Sequence, residues 1–192
     1  MAAAARICRM SNPLRILKTL DQHLASPAEI TLFGRAALAL GYSKAPDHFH
    51  NTQDVDGILP LAWLQPPDEH QDFWQAVQLT NLELEPDGLY LTHLFREVDV
   101  ILQPDWLDHR LRLEVILRKL VVFRPATIDL ILTKMARADD DDLQDIRFLL
   151  RQESLTRDQL ETAFARARVP DVPEIRELFN RARPKVLALA AL

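Results

Sequence analysis

The chain has 192 residues, 48% of them apolar and 27% charged, which is enough to bury one core and ordinary for a globular protein. Its 23 basic and 28 acidic side chains leave a formal net charge of −5 and exclude broad coating of long duplex DNA, which needs a basic footprint to neutralise phosphates. Four glycines (Gly34, Gly41, Gly57, Gly88) are spaced wrongly for GxGxxG or GxxxxGK, and the single Cys8 excludes a disulfide framework or a cysteine zinc site.

In chain order, Pro13 to Leu24 carries Leu14, Ile16, Leu17, Leu20 and Leu24 at helical spacing. Ile30 to Phe33 reads as a strand that turns at Gly34 into a helix over Ala36 to Leu40. The polar stretch Lys44 to Asn51 reads as loop, and Asp54 to Leu59 as a short strand stopped by Pro60. Pro66-Pro67 is expected to open a helix with Phe73, Trp74, Val77 and Leu79 on its apolar side. Leu89 to Phe95 and Val98 to Leu102 read as strands, as do Arg112 to Ile116 and Leu120 to Phe123. Beyond Pro125 the pattern turns helical, with four helices marked by Ile128–Met135, Leu143–Leu150, Leu155–Ala167 and Val172–Leu189. The expected fold class is α+β, a small mixed sheet over residues 1–124 followed by a helical half over 125–192.

Arg6 and Arg9 interrupt the start where a secretory signal would keep its apolar core, and the apolar tail VLALAAL falls far short of the roughly 20 residues that span a bilayer. A soluble cytoplasmic protein with no membrane partner is expected. Residues 151–192 hold eight basic and six acidic side chains, so the acid excess belongs to the first part of the chain.

The strongest local feature is Asp54-Val55-Asp56. Residues two apart on a strand share a face, so two carboxylates stand side by side and repel unless a cation joins them. Mg²⁺ uses one or two carboxylates plus substrate phosphates, whereas two solvated acids at a strand edge are the bland alternative. Upstream, Gly34 stands at a strand end and a helix mouth, where a glycine lets backbone approach an anion. Downstream, Glu97 and Asp99 repeat the alternating acids, and Asp99 is taken as the third carboxylate. Such an acid would complete a two-metal site.

The stretch FGRAALALGY…NTQDVDGILP resembles the turn, helix and metal-binding strand of the DNA-polymerase-β-like nucleotidyltransferase superfamily. The later PATIDLILTKMARADDDDLQDIRFLL is similar to the second half of small bacterial nucleotidyltransferase-like proteins, including abortive-infection-type toxins, which carry a lysine and then D-x-x-D. Those positions fall here on Lys134, Asp142 and Asp145. The resemblance spans residues 28–150. It implies Asp54, Asp56 and Asp99 as Mg²⁺ (or Mn²⁺) ligands, and Gly34, Arg35, Lys134, Asp142 and Asp145 around the nucleotide. The implied reaction moves a nucleoside monophosphate from a nucleoside triphosphate to an acceptor hydroxyl on an RNA end or a protein. The superfamily usually has Gly-Gly or Gly-Ser where this chain has Gly34-Arg35. The competing expectation is therefore a catalytically impaired protein of that fold that binds a protein partner, as in a toxin–antitoxin pair.

Other residues read as structural. Asp139 to Asp142 cap a helix start, Arg147 and Arg151 face water, and His93 with Thr92 supports its strand. Trp63, Trp74 and Trp106 are too scattered for a stacking platform and are expected in the core. His48 and His50 share a loop, and Cys8 is incidental.

Overall fold

The computed structural model describes residues 10–64 and 70–190, so Cys8 and the Pro66-Pro67 helix start lie outside the described residues. The fold is α+β, a five-stranded mixed sheet with a helical C-terminal region. Helix α1 (Asn12–His23) begins at Ser11, whose hydroxyl accepts from the Leu14 amide, with Pro13 in the first turn, where a missing N–H costs nothing. It buries Ile16, Leu17 and Leu20, each worth about 1.5–3 kcal/mol over exposure. Its Asp21 reaches across to the amides of Arg118, Lys119 and Leu120 at 2.7–3.1 Å. Burial acts to raise the Asp21 carboxyl, but those three amides outweigh it and hold it below its ordinary value.

Strand β1 (Ala28–Phe33) is central, pairing antiparallel with β2 (Asp54–Leu59) and parallel with β5 (Leu120–Arg124). Helix α2 (Gly34–Gly41) follows β1 directly, and α4 (Gln71–Leu84) leads to β3 (Tyr90–Arg96), which runs parallel to β2. The short β4 (Leu111–Arg112) pairs antiparallel with β5, giving the order β3-β2-β1-β5-β4. Helices α5 (Thr127–Lys134), α6 (Asp140–Glu153), α7 (Arg157–Arg166) and α8 (Pro173–Leu189) complete the chain. Thr156 and Gln159 form a reciprocal capping box that starts α7. One apolar cluster runs from Ile16 and Leu17 through Ile30 and Val122 to Leu132, Leu149, Phe164 and Val186.

Three sequence expectations are corrected. Residues 44–51 are not all loop, because Asp47–His50 forms a one-turn helix (α3) that buries Phe49. Val98 to Leu102 is not a strand of the sheet: Glu97–Asp99 is a 3₁₀ turn, and the segment's one ladder contact is an isolated bridge from Leu102 to Arg168. Of Arg112 to Ile116 only Arg112 is in a strand, the two-residue β4 that it forms with Leu111. The alternating acids at 97 and 99 mimic strand period, but tertiary bonds to Glu97 set the backbone there.

Candidate functional site

Strand β2 alternates between two environments. Val55 enters the main core, while Ile58 packs beneath Val100, Leu102 and Trp106 on the opposite face. Asp54 and Asp56 share the parity of Ile58 and stand at its open end, Asp54 exposed and Asp56 partly covered. Thr52 Oγ1 donates to Asp54 at 2.7 Å.

Asp56 lies in register with Phe33, directly across from the turn into α2. Gly34 adopts φ +64°, a left-handed conformation that costs an L-residue about 1–2 kcal/mol. A Cβ placed on Gly34 would stand 3.5 Å from Asp56 Oδ2. A side chain at this position would therefore fill the space between the turn and this carboxylate, and the first turn of α2 has no side-chain cap. Backbone N–H groups there remain available to an anion.

The β2–β3 ladder slips between Val55 and Gly57, whose partners are Leu91 and Leu94. Two residues of β3 therefore oppose the single Asp56, and the bulge aims both at it. Thr92 Oγ1 donates to Asp56 Oδ1 at 2.9 Å, and His93 Nδ1 lies 3.2 Å from the same oxygen. His93 stacks on Phe95 (5.4 Å, 19°), and Phe95 meets Phe33 edge-on at 5.7 Å. Thr92 and His93 are therefore neighbours of the acid rather than mere strand support. A bulge has no period that sequence patterning would register.

Asp99 is not brought to this pair. It is held by Arg96 through two bonds of 2.7 Å, and the Arg96 guanidinium keeps its carboxyl below the usual range. Glu97 turns inward: burial acts to raise its carboxyl, but bonds from the Leu61 amide, Trp106 Nε1 and Arg168 together hold it low. Among the described residues no three His, Cys, Asp or Glu side chains gather as a set able to hold a metal ion.

The remaining site residues are gathered, but around each other. Lys134 Nζ is 2.6 Å from Asp145 and 3.1 Å from Asp142, all three buried. Arg137 adds two bonds to Asp142, and Arg35 reaches Asp145 and Asp141 at 3.3 Å. The Gly34-Arg35 turn is thus tied to the start of α6, where Asp139 caps the Asp142 amide. Asp145 Oδ1 is the one oxygen of this network left buried without a partner. Trp106 is buried as expected, whereas Trp63 and Trp74 lie 6.4 Å apart with His70 stacked on Trp63 at 3.8 Å, closer than their sequence separation suggested. Arg147 and Arg151 are exposed.

No family model, curated protein or solved structure matches the chain. No described helix is long and apolar enough to cross a membrane.

Proposed function

We propose that the chain binds a nucleoside triphosphate at the Gly34 turn and β2, with a divalent cation, and transfers its nucleoside monophosphate to an acceptor hydroxyl. The observation carrying this reading is a left-handed glycine at an uncapped helix start facing Asp56, with only the room of a Cβ between them and Asp54 on the same strand. The donors fit one hard cation on two carboxylates, with water and phosphate oxygens completing its shell. They do not offer the third carboxylate that a two-metal arrangement uses.

A bound Mg²⁺ or Mn²⁺ would supply charge neutralisation to the phosphates. The chain's own residues supply the rest. Gly34 leaves room for phosphate oxygens at the α2 amides, and a side chain there would occupy that approach. Thr92 and His93 fix the Asp56 carboxylate, and the His93–Phe95 stack offers a flat surface for a base. Lys134, Asp142 and Asp145 act as a buried clamp that holds Arg35, and through it the turn, in place.

A second reading is favoured by Asp99, which is committed to Arg96. Here the protein keeps the fold, lacks transfer and binds a protein partner, as one half of a toxin–antitoxin pair would. Labelled ATP, CTP, GTP and UTP with Mg²⁺ or Mn²⁺, incubated with total RNA and protein, separates the two. Label transfer that is lost in Asp54→Asn/Asp56→Asn supports the enzyme. Unchanged Mg²⁺/ATP affinity in that double variant sinks nucleotide binding at β2, and a stoichiometric co-purifying partner without nucleotide binding supports the second reading.

A further inference from the structure

A cavity of about 520 Å³ lies between α5, α7 and the 103–109 segment, and it shares no lining residue with the β2 pair. That volume falls within the range of small-molecule sites. Ala126, Ile128, Leu155 and Ala163 give it apolar walls. At its base is Asp129, only 1% exposed, in the first turn of α5. One carboxylate oxygen, Oδ1, accepts the Gln103 amide at 2.6 Å, and the Gln103 side chain donates onward to the Ala163 carbonyl. Among the described residues Oδ2 accepts no hydrogen bond, although the carboxylate lines the cavity.

A carboxylate whose surface is almost wholly buried is costly to ionise unless a donor or cation meets the oxygen it leaves to the cavity. Among the described residues none of the charged side chains lining the cavity bonds to it. From the 103–109 segment come Asp105 and His109, and from α7 come Asp158 and Arg166. Arg166 is bonded to Asp105 at 3.0 Å, and His109 Nδ1 is 2.9 Å from the Asp105 carbonyl oxygen. Burial, aided by the charge on Asp105, pushes the Asp129 carboxyl up to about 6, against the opposing pull of the Gln103 amide and, more weakly, of His109.

We propose that this cavity binds a small amphipathic organic cation, its ammonium group paired with Asp129 Oδ2 and its apolar body against Ile128, Leu155 and Ala163. The apolar walls select the body, and the acid excess of the lining selects the positive head. The site stands or falls independently of nucleotide binding at β2.

The test uses the full chain and two probes of matched shape, benzylamine and benzyl alcohol, titrated by calorimetry and followed by NMR. At pH 7.5 benzylamine is expected to bind at least about tenfold more tightly than the alcohol. Asp129→Asn keeps an oxygen for the Gln103 amide and is expected to erase that preference. Thr162→Phe, an exposed position on the lining, is expected to block both probes. With a carboxyl near 6, benzylamine affinity is expected to rise about tenfold from pH 5 to pH 7.5, and to do so equally in His109→Gln. Equal affinity for the two probes, a preference surviving Asp129→Asn, or an affinity that falls with pH would each overturn the proposal. So would the absence of binding by either probe. The pH profile of the unmutated chain keeps the test decisive if Asp129→Asn does not fold.

Discussion

The acids of β2 and the acids of α6 have the same chemistry and opposite circumstances. Asp142 and Asp145 are buried, and Lys134, Arg137 and Arg35 answer them at 2.6–3.3 Å. Asp54 and Asp56 stand at the open end of a strand and, among the described residues, receive only hydroxyl and imidazole partners. The Asp142 and Asp145 carboxylates are answered by cations at every oxygen but the buried Asp145 Oδ1, whereas the β2 pair is exposed or partly covered and is not paired with a lysine or arginine among the described residues. The D-x-x-D of α6 is bound up in the scaffold, and the function proposed above puts the ligand at the D-x-D of β2.

The sharpest way to break that contrast is to remove the cation at the centre of the compensated cluster. Lys134→Met should destabilise the chain by about 3–5 kcal/mol, because two buried carboxylates lose their shared partner. Urea denaturation measures this, and a loss under 1 kcal/mol would mean the cluster is not a clamp.

A buried acid without an answering cation should behave in the opposite sense, and Asp129 supplies the case. Its folded value of about 6 lies above the unfolded one, so the native state binds the extra proton between about pH 4 and 6. Stability from this group is present at low pH and is lost as pH rises through 6, a cost on the order of 2–3 kcal/mol. Asp129→Asn should flatten that part of the stability–pH curve. Asp21 and Glu97, whose carboxyls are depressed, contribute with the reverse sign, losing stability as pH falls through their folded values.

Gly34→Ala should cost roughly 1–2 kcal/mol through its left-handed backbone while weakening nucleotide binding more than stability. Smallest of all, Asp54→Asn/Asp56→Asn should shift stability by less than about 1 kcal/mol, because Asp54 is exposed and the partly covered Asp56 keeps an oxygen for Thr92. A large loss there would place the β2 acids with those of α6 and erase the contrast.

Much of this was legible in the sequence. The strand Asp54–Leu59 and the turn at Gly34 follow from alternation and from a glycine between two apolar runs. What escaped was set by partners far along the chain. Glu97 is drawn inward by Trp106, Leu61 and Arg168, so an apparent strand becomes a 3₁₀ turn. The family resemblance implies a phosphate-reaching Lys134, whereas the packing of α5 on α6 turns it toward Asp142 and Asp145. Arg35 finds Asp145 across 110 residues, a pairing that no local rule encodes. The slip in β3 is equally silent in composition, yet it decides that Thr92 and His93 both reach Asp56.

The change of texture at Pro125 invites a cut between a sheet-bearing half and a helical half, but the apolar cluster runs through that point without a break. Leu130, Ile131, Met135, Leu149 and Phe179 belong to the same interior as Leu17, Leu32 and Val122. Severing the chain there would leave each fragment with an exposed oily face and no replacement for it. The two halves should therefore melt together, and a protease that nicks the chain between them should release no soluble piece.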